Sequence, residues 1–480
     1  MDEYKLFING HYCDATTGKT EQSLNPATGE VYAVVQQASA EDAKKALDAA
    51  EKAFESWKDV PPSQREAIFL KAAEIMEARE DELRDVLIDE AGSTLLKAGY
   101  EVHHSPAFIR GMAGECRRVT GDTYNSDYPG VKSYSIRRPL GIVLAISPFN
   151  FPLLLGLRKI GWAMAAGNCV VLKPSEVTPV IGLKIAEIFK EAGLPDGVLN
   201  VIPADAADLG DTLIADPRVK KVTFTGSTKV GKLIAAKAAS HLKKFTLELG
   251  GKNPIIVLND ADIDYAVDAA AFSNFMHQGQ VCMTGSRVIV EAGIYDQFCE
   301  KLAEKVKGLK WGNPREPGVV VGPLIRSTQP AFIQQQVEGA VEQGARLLTG
   351  GSYENNYYQP TVLANVTPDM SIFRTECFGP VASVIKADDH LHAMALANDS
   401  DYGLSSAVIT NDLQKAMLLS EGIESGMVHI NGPTIRDEAV VPFGGVKNSG
   451  FGREGGEFAM DEFTELKWVT IQTGQQKFPF

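Results

Sequence analysis

The sequence predicts an α/β fold: two doubly wound parallel-sheet domains plus a small β arm. Three observations carry that prediction. From Leu140 onward, apolar runs of strand length alternate with helical stretches, and the alternation begins again near Pro254. A chain of 480 residues is too long for one ordinary core. A polar, β-rich stretch at 119–139 and a strand-like tail, ELKWVTIQ, fit neither alternating set.

Taken in order, residues 1–36 read as short strands and turns, with Asn9-Gly10 and NPATGE at the bends. A helical block follows. Ser39 to Trp57 starts on a Ser cap, and Ser63 to Arg79 and Glu80 to Ala91 continue it; this block reads as scaffold. Residues 119–139 read either as an arm that pairs with another chain or as a long surface hairpin. The first alternating set is GIVLAIS, helix Leu153 to Ala166, NCVVLKP, helix Pro179 to Glu191, VLNVI, helix Asp205 to Ile214, KKVTFTG, helix Lys229 to Ser240 and KKFTLELG. Such alternation implies parallel strands with helical crossovers, and ligands then bind beyond the carboxyl ends of the strands. The second set runs from NPIIVL through a helix from Ala261, RVIVE, a helix from Ile294 to Leu309, VASVIKA and SSAVIT to GMVHING.

Composition narrows the function classes. Apolar content of 44% and charged content of 22% are those of a soluble globular chain, and a dispersed net charge of −14 argues against nucleic acid or an anionic membrane as partner. Pro139 to Leu157 carries no charge, yet its three prolines and Asn150 divide it into strand, turn and helix start rather than a membrane span. The N-terminus has no apolar signal core. The six cysteines form no CxxC pair and lie near no His at zinc spacing, so the expectation is a reduced, cytoplasmic chain without metal.

The candidate residues cluster at the strand ends. Cys282, in QGQVCMTGSR, falls between a helix and a strand with Gly279 and Gly285 beside it; it reads either as a thiolate nucleophile or as a small buried hydrophobe. Asn150 in SPFNFP is either a turn former or an oxyanion donor. Glu248 in LELGG, and likewise Glu376 in ECFGPV, is an acid in an apolar setting: a base, or one half of a buried ion pair. FTGSTKVGK places Gly226, Ser227 and Gly231 where a helix N-terminus holds phosphate, or where an ordinary turn lies. It is no Walker loop, because Leu233 follows the Lys, and the GxGxxG at Gly450 to Gly455 follows no strand. Lys173 and Glu176 in LKPSE sit where such a fold binds adenosine ribose, or are simply solvated charges.

Together these stretches resemble the NAD(P)-dependent aldehyde dehydrogenase superfamily over essentially the whole chain. SPFNFPLLL, LKPSE, FTGSTKVG, LELGGKNP, GQVCMTGSR, ECFGPV and PFGGVKNSGFGREGG stand in the family's order. The resemblance implies that Cys282 is the nucleophile, that Asn150 with the Cys282 amide stabilises the oxyanion, and that Glu248 activates water against the thioester. It implies cofactor contacts at Lys173, Ser175, Glu176, Gly226, Ser227, Gly231, Glu376 and Phe378, and a supporting pair at Lys159 and Glu454. The base Glu248 favours water over coenzyme A as acyl acceptor, and intact Cys282, Glu248 and Asn150 speak against a non-catalytic member.

One departure bears on substrate. The family's frequent Trp before the amide Asn is Phe149 here, and with GMVHINGPTIRDEAVVPFGG this is similar to members that oxidise benzaldehyde, vanillin or salicylaldehyde. Phe149, Phe151 and Met283 would then line a slot for a flat ring; Arg436 would instead suit a semialdehyde carboxylate. The implied organisation is a Rossmann-like cofactor domain at 1–118 and 140–250, a catalytic domain at 251–449, and an oligomerisation arm at 119–139 and 460–480. The implied enzyme is a homodimer or homotetramer using NAD, with NADP allowed.

Overall fold

In the computed structural model, which describes residues 2–480, two large sheets dominate. The first has the order Gly450–Phe451, Lys244–Glu248, Val219–Thr225, Ile142–Ile146, Cys169–Lys173, Leu199–Val201, Leu6–Ile8 and His11–Cys13. Its five central strands are parallel. The chain builds outward from Ile142–Ile146 in one direction and then returns to add strands on the other side. The strand order therefore reverses between Ile142–Ile146 and Val219–Thr225, the place where such folds open a crevice. Val143, Leu144 and Ala145 are fully buried, as strands covered on both faces must be, and each such Val or Leu contributes about 1.5–3 kcal/mol.

The second sheet has the order Arg346–Thr349, Thr361–Ala364, Val381–Ala387, Arg287–Glu291, Pro254–Val257, Ser405–Ile409 and Met427–Ile430, parallel apart from its first strand. A third sheet forms the arm. Thr464–Gln472 pairs antiparallel with Val131–Pro139 along nine residues, so the tail and the 119–139 stretch join within one chain. The outermost strand keeps Leu466 and Trp468 exposed. Among the described residues no helix is long and apolar enough to cross a membrane, and the uncharged Pro139 to Leu157 stretch becomes a strand, a turn and the helix Pro152–Ala165.

The N-terminal block does more than scaffold. It includes a helix not singled out above, Leu95–Glu115, which starts on a Thr94 cap and carries Pro106 internally. The helices Pro152–Ala165 and Pro179–Glu191 both begin on a proline and have no cap from their own chain segment. Their orphan amides are taken by buried acids from the block. Glu101 accepts from the Leu153 and Leu154 amides at 2.8 and 3.0 Å, and Glu90 from those of Val180 and Ile181 at 2.8 and 3.1 Å. Both helices start just past strand ends that carry candidate residues, so distant acids fix the entry to the site.

Candidate active site

Cys282 lies in the turn after the helix Ile263–Phe275 and the 3-10 segment Met276–Gly279. His277 and Gln278 both hold left-handed backbone, at φ 50° and 57°, a strain of about 1–3 kcal/mol each. Tertiary bonds hold them there: the Gln278 side chain donates to the carbonyls of Gly92 and Pro323 at 3.0 and 2.9 Å. Gly279 sits at φ 69° with the Gly379 carbonyl so near that a Cβ would lie 2.1 Å from its oxygen. Asn253 then braces the Cys282 carbonyl at 2.8 Å. The turn is locked from several sides.

Asn150 reaches this turn from the first sheet. Its amide nitrogen donates to the Gln280 carbonyl at 2.9 Å, which orients the group and leaves a second N–H unspent. The Cys282 backbone amide has no acceptor among the described residues. Burial pushes the Cys282 thiol up to about 12; Glu248, Glu376 and Asp437 add to the rise and Arg158 opposes it. At rest the sulfur therefore keeps its proton, and reaction requires a base.

Glu248 ends the strand Lys244–Glu248 opposite Gly450. The strand Gly450–Phe451 is what the GxGxxG segment becomes: an antiparallel edge laid against Glu248, and not a phosphate loop. The Glu248 carboxylate is buried, and neither oxygen has a partner among the described residues. Burial, and next the charge of Glu454, raise its pKa well above the usual carboxylate value, against Lys159, Arg158 and Arg453. Lys159 and Glu454 form a wholly buried ion pair, and the Thr223 hydroxyl donates to the same Glu454 oxygen at 3.1 Å.

The other candidates stand near the strand ends, where such a fold opens its crevice. Lys173 is buried at its strand end with Nζ 3.6 Å from Glu176; Ser175 accepts from the Val177 amide. Ser227 caps the helix Thr228–Ser240, and Gly226 and Gly231 pack so closely that a Cβ would meet Phe224 or Leu249 at 2.4 Å. Glu376 accepts from the Gly251 amide at 2.9 Å, with burial pushing its carboxyl up to about 7. A Cβ at Gly250 would fall 2.3 Å from Glu376, so glycine admits that acid. Phe378, at φ 46°, packs its ring edge-on to Phe149 at 5.8 Å.

Phe149 and Phe151 have different ring neighbours. Phe149 lies against Phe378 and under the Arg326 guanidinium at 5.3 Å, on the crevice side. Phe151 is buried against His277 at 5.5 Å and beneath Lys97 at 4.4 Å. As the residue that opens the helix Pro152–Ala165, it turns inward beside Asn150. Met283 is buried next to Cys282. Arg436 stands exposed on the rim of a cleft of about 440 Å³ lined also by Met427, His429, Ile430 and Asp437.

Sequence reasoning passed over four groups. Arg158 is buried and pairs with Asp437 at 2.7 Å between the rings of Phe108 and Phe443, at 5.0 and 4.3 Å; its Nε and Nη1 have no partner among the described residues. The Lys97–Glu101 pair supports Asn150's segment from below. His277 is buried, and neither ring nitrogen has a partner among the described residues. Arg326 bonds Glu176 across the crevice at 2.8 Å. The only available signal was charge out of place, as with Arg158 and Lys159 inside an apolar helix.

Comparison with known proteins gives the family. The profile described as the aldehyde dehydrogenase family matches residues 12–469. A vanillin dehydrogenase of Pseudomonas fluorescens is 44% identical over 485 aligned positions, covering 100% of both chains. The crystal structure of a salicylaldehyde dehydrogenase from Pseudomonas putida G7 complexed with salicylaldehyde superposes with a TM-score of 0.98 at 40% identity, again over 100% of both. That of an NAD-dependent aldehyde dehydrogenase from Sinorhizobium meliloti gives 0.97 at 36%, over 100% of this chain and 96% of the other. In sequence and fold, the chain belongs to the aldehyde dehydrogenase family.

Proposed function

We propose that the protein oxidises aromatic aldehydes to carboxylic acids with NAD, through a thioester on Cys282. The observation that carries this reading is the buried, unpartnered Glu248 carboxylate among charges that also act on the Cys282 thiol. A base takes the thiol proton, and the thiolate adds to the aldehyde carbon. The free N–H of Asn150 and the amide of Cys282 stabilise the resulting oxyanion. Bound NAD supplies a hydride acceptor. Loss of hydride from the thiohemiacetal carbon leaves a thioester. Glu248 then removes a proton from water as its oxygen attacks the acyl carbon, and the thiol departs with the acid as second product. Lys159 and Glu454 offer an inward route for that proton.

The residues present suit the cofactor. Lys173, Ser175 and Glu176 are assigned to the adenosine ribose, the N-terminus at Gly226, Ser227 and Gly231 to the pyrophosphate, and Glu376 with Phe378 to the nicotinamide ribose. We assign residues 1–118 and 140–250 to cofactor binding, and 251–449 to catalysis. The aromatic preference rests on the relatives and on Arg158: its unpartnered N–H groups, flanked by two aromatic rings, suit an oxygen substituent on a flat ring. NADH formation across benzaldehyde, vanillin, hexanal, lactaldehyde and succinic semialdehyde tests this. Ring aldehydes should lead in kcat/KM by at least tenfold, a difference of about 1.4 kcal/mol. A lead for succinic semialdehyde would transfer the role to Arg436, and strict dependence on added coenzyme A would overturn the hydrolytic step.

The arm, 119–139 with 460–480, is assigned to assembly of a homodimer or homotetramer. A nine-residue edge strand with Leu466 and Trp468 exposed calls for a partner. By light scattering the chain should run at a multiple of 51.8 kDa, and Leu466→Glu should shift it toward a single chain. A wild-type protein that runs at single-chain mass would remove the assignment. Six free cysteines fit a reducing, cytoplasmic setting.

A further inference from the structure

Residues 174–178 join the strand Cys169–Lys173 to the helix Pro179–Glu191 and include Ser175 and Glu176. The joint is short and braced from within. The Thr178 amide donates to the Ser175 carbonyl at 3.2 Å, and the helix packs so closely that a Cβ at Gly182 would lie 2.8 Å from the Cβ of Pro174. A shift of the helix start therefore moves Glu176. That start has no cap of its own: Thr178 is wholly buried at the cap position, its hydroxyl has no partner among the described residues, and Pro179 follows. Glu90, in the last turn of the helix Glu80–Ala91, does the capping instead. One of its oxygens accepts from the Val180 amide at 2.8 Å and the Ser23 hydroxyl at 3.3 Å, the other from the Ile181 amide at 3.1 Å.

Glu101 and Glu90 cap their helices alike but differ in charge balance. Glu101 is neutralised by Lys97, whereas no cation stands among the groups that act on Glu90. Burial pushes Glu90 up to about 8, against the Val180 and Ile181 amides and the Ser23 hydroxyl, which favour its charge. That charge reaches Tyr4, in the strand Asp2–Tyr4, and Tyr32, in the strand Val31–Gln36. Burial raises both phenols and Glu90 adds to the rise, with Lys184 opposing it at Tyr4, so neither titrates near 8. Lys184 itself is taken by Glu82 at 2.7 Å, and Asp89, beside Glu90, by Arg315 at 2.7 Å. An ionised cap holds a helix N-terminus more firmly than a neutral one, because the amides there carry partial positive charge. We propose that Glu90 is a positioning residue for the cofactor: through its charge it fixes the helix start, and with it the segment Lys173 to Thr178, in the form that grips the adenosine ribose. The inference rests on the cofactor assignment made above.

The test is titration of the full-length protein with NADH, followed by ligand fluorescence without aldehyde, from about pH 6 to about pH 9.5. Glu90→Gln keeps the shape of the protonated acid and cannot ionise. At the acid end it should therefore bind NADH within about twofold of wild type, which also shows that the variant folds. Above the Glu90 value the two should diverge, the variant becoming about three- to tenfold weaker. The ratio of the two dissociation constants carries the result, because Glu376, with its carboxyl at about 7, titrates in both proteins. Ser23→Ala removes a bond that favours the charge, so its binding should tighten at a higher pH than that of wild type. Linkage requires the converse as well: near the Glu90 value, NADH binding should release more protons from wild type than from Glu90→Gln. Equal affinity at every pH, or a deficit in Glu90→Gln that does not change with pH, would overturn the proposal. Glu176→Gln tests the underlying assignment separately, since NADH affinity left intact by that variant would remove the ribose reading whatever Glu90 does.

Discussion

Cys282→Ala is expected to remove aldehyde oxidation altogether, a fall on the order of 10⁴-fold or more in kcat, while NADH still binds. No other thiol is placed to substitute. Cys299 is buried in the helix Tyr295–Lys307, and Cys377, though next in sequence to Glu376, is buried with its pKa raised. Asn150 and Glu248 would remain in place without an atom to act on. The same geometry sets the pH dependence. Burial holds the thiol near 12 and Glu248 well above an ordinary carboxylate, so both reactive groups are protonated at low pH. Acylation should therefore quicken as pH rises and continue rising into the alkaline range, with no bell-shaped fall near neutrality. Stopped-flow NADH formation at several pH values measures it. Ordinary turnover in Cys282→Ala would refute the nucleophile.

What the sequence made legible follows from how it encodes burial. Strands covered on both faces read as unbroken apolar runs, so GIVLAIS and NCVVLKP announce the parallel sheet. Residues such as Asn150, Glu248 and Cys282 stand out because each is polar or reactive in an apolar or small-residue setting at a strand end. What stayed hidden is what distance in sequence hides. Glu101 caps a helix that starts about 50 residues later, and Arg158 meets Asp437 with 279 positions between them. Neither pairing has a local signal, although Arg158 itself is a charge out of place in an apolar helix. The left-handed turn at His277 and Gln278 is hidden for another reason: Gln does not mark such backbone and His marks it only weakly, and surrounding bonds impose it. Phe149 and Phe151 show the converse limit. Their spacing suggests a common slot, but it does not reveal their ring neighbours, Phe378 for the first and His277 for the second.

Glu248→Gln separates the two halves of the reaction. The substitution keeps the shape of the side chain and removes its basicity, so hydrolysis should slow by about 10²–10⁴-fold. NADH should then appear as a burst approaching one equivalent per site, followed by a slow steady state, and mass spectrometry of the quenched protein should show an acyl adduct on Cys282. If Glu248 is also the base that takes the thiol proton, the burst itself slows, and a rate that recovers at high pH distinguishes that case from loss of fold. Stability provides an independent check with a definite sign. The Glu248 pKa is raised on folding, so its contribution is fully present below the unfolded value of 4.5 and is lost as pH climbs through the folded value. The variant lacks that titration and no longer buries an ionisable acid without a partner. Its melting temperature should therefore gain on wild type as pH rises. A constant difference across pH would mean that the carboxylate is not held in the low-dielectric setting its role requires, and the absence of both burst and adduct would take the base assignment from Glu248.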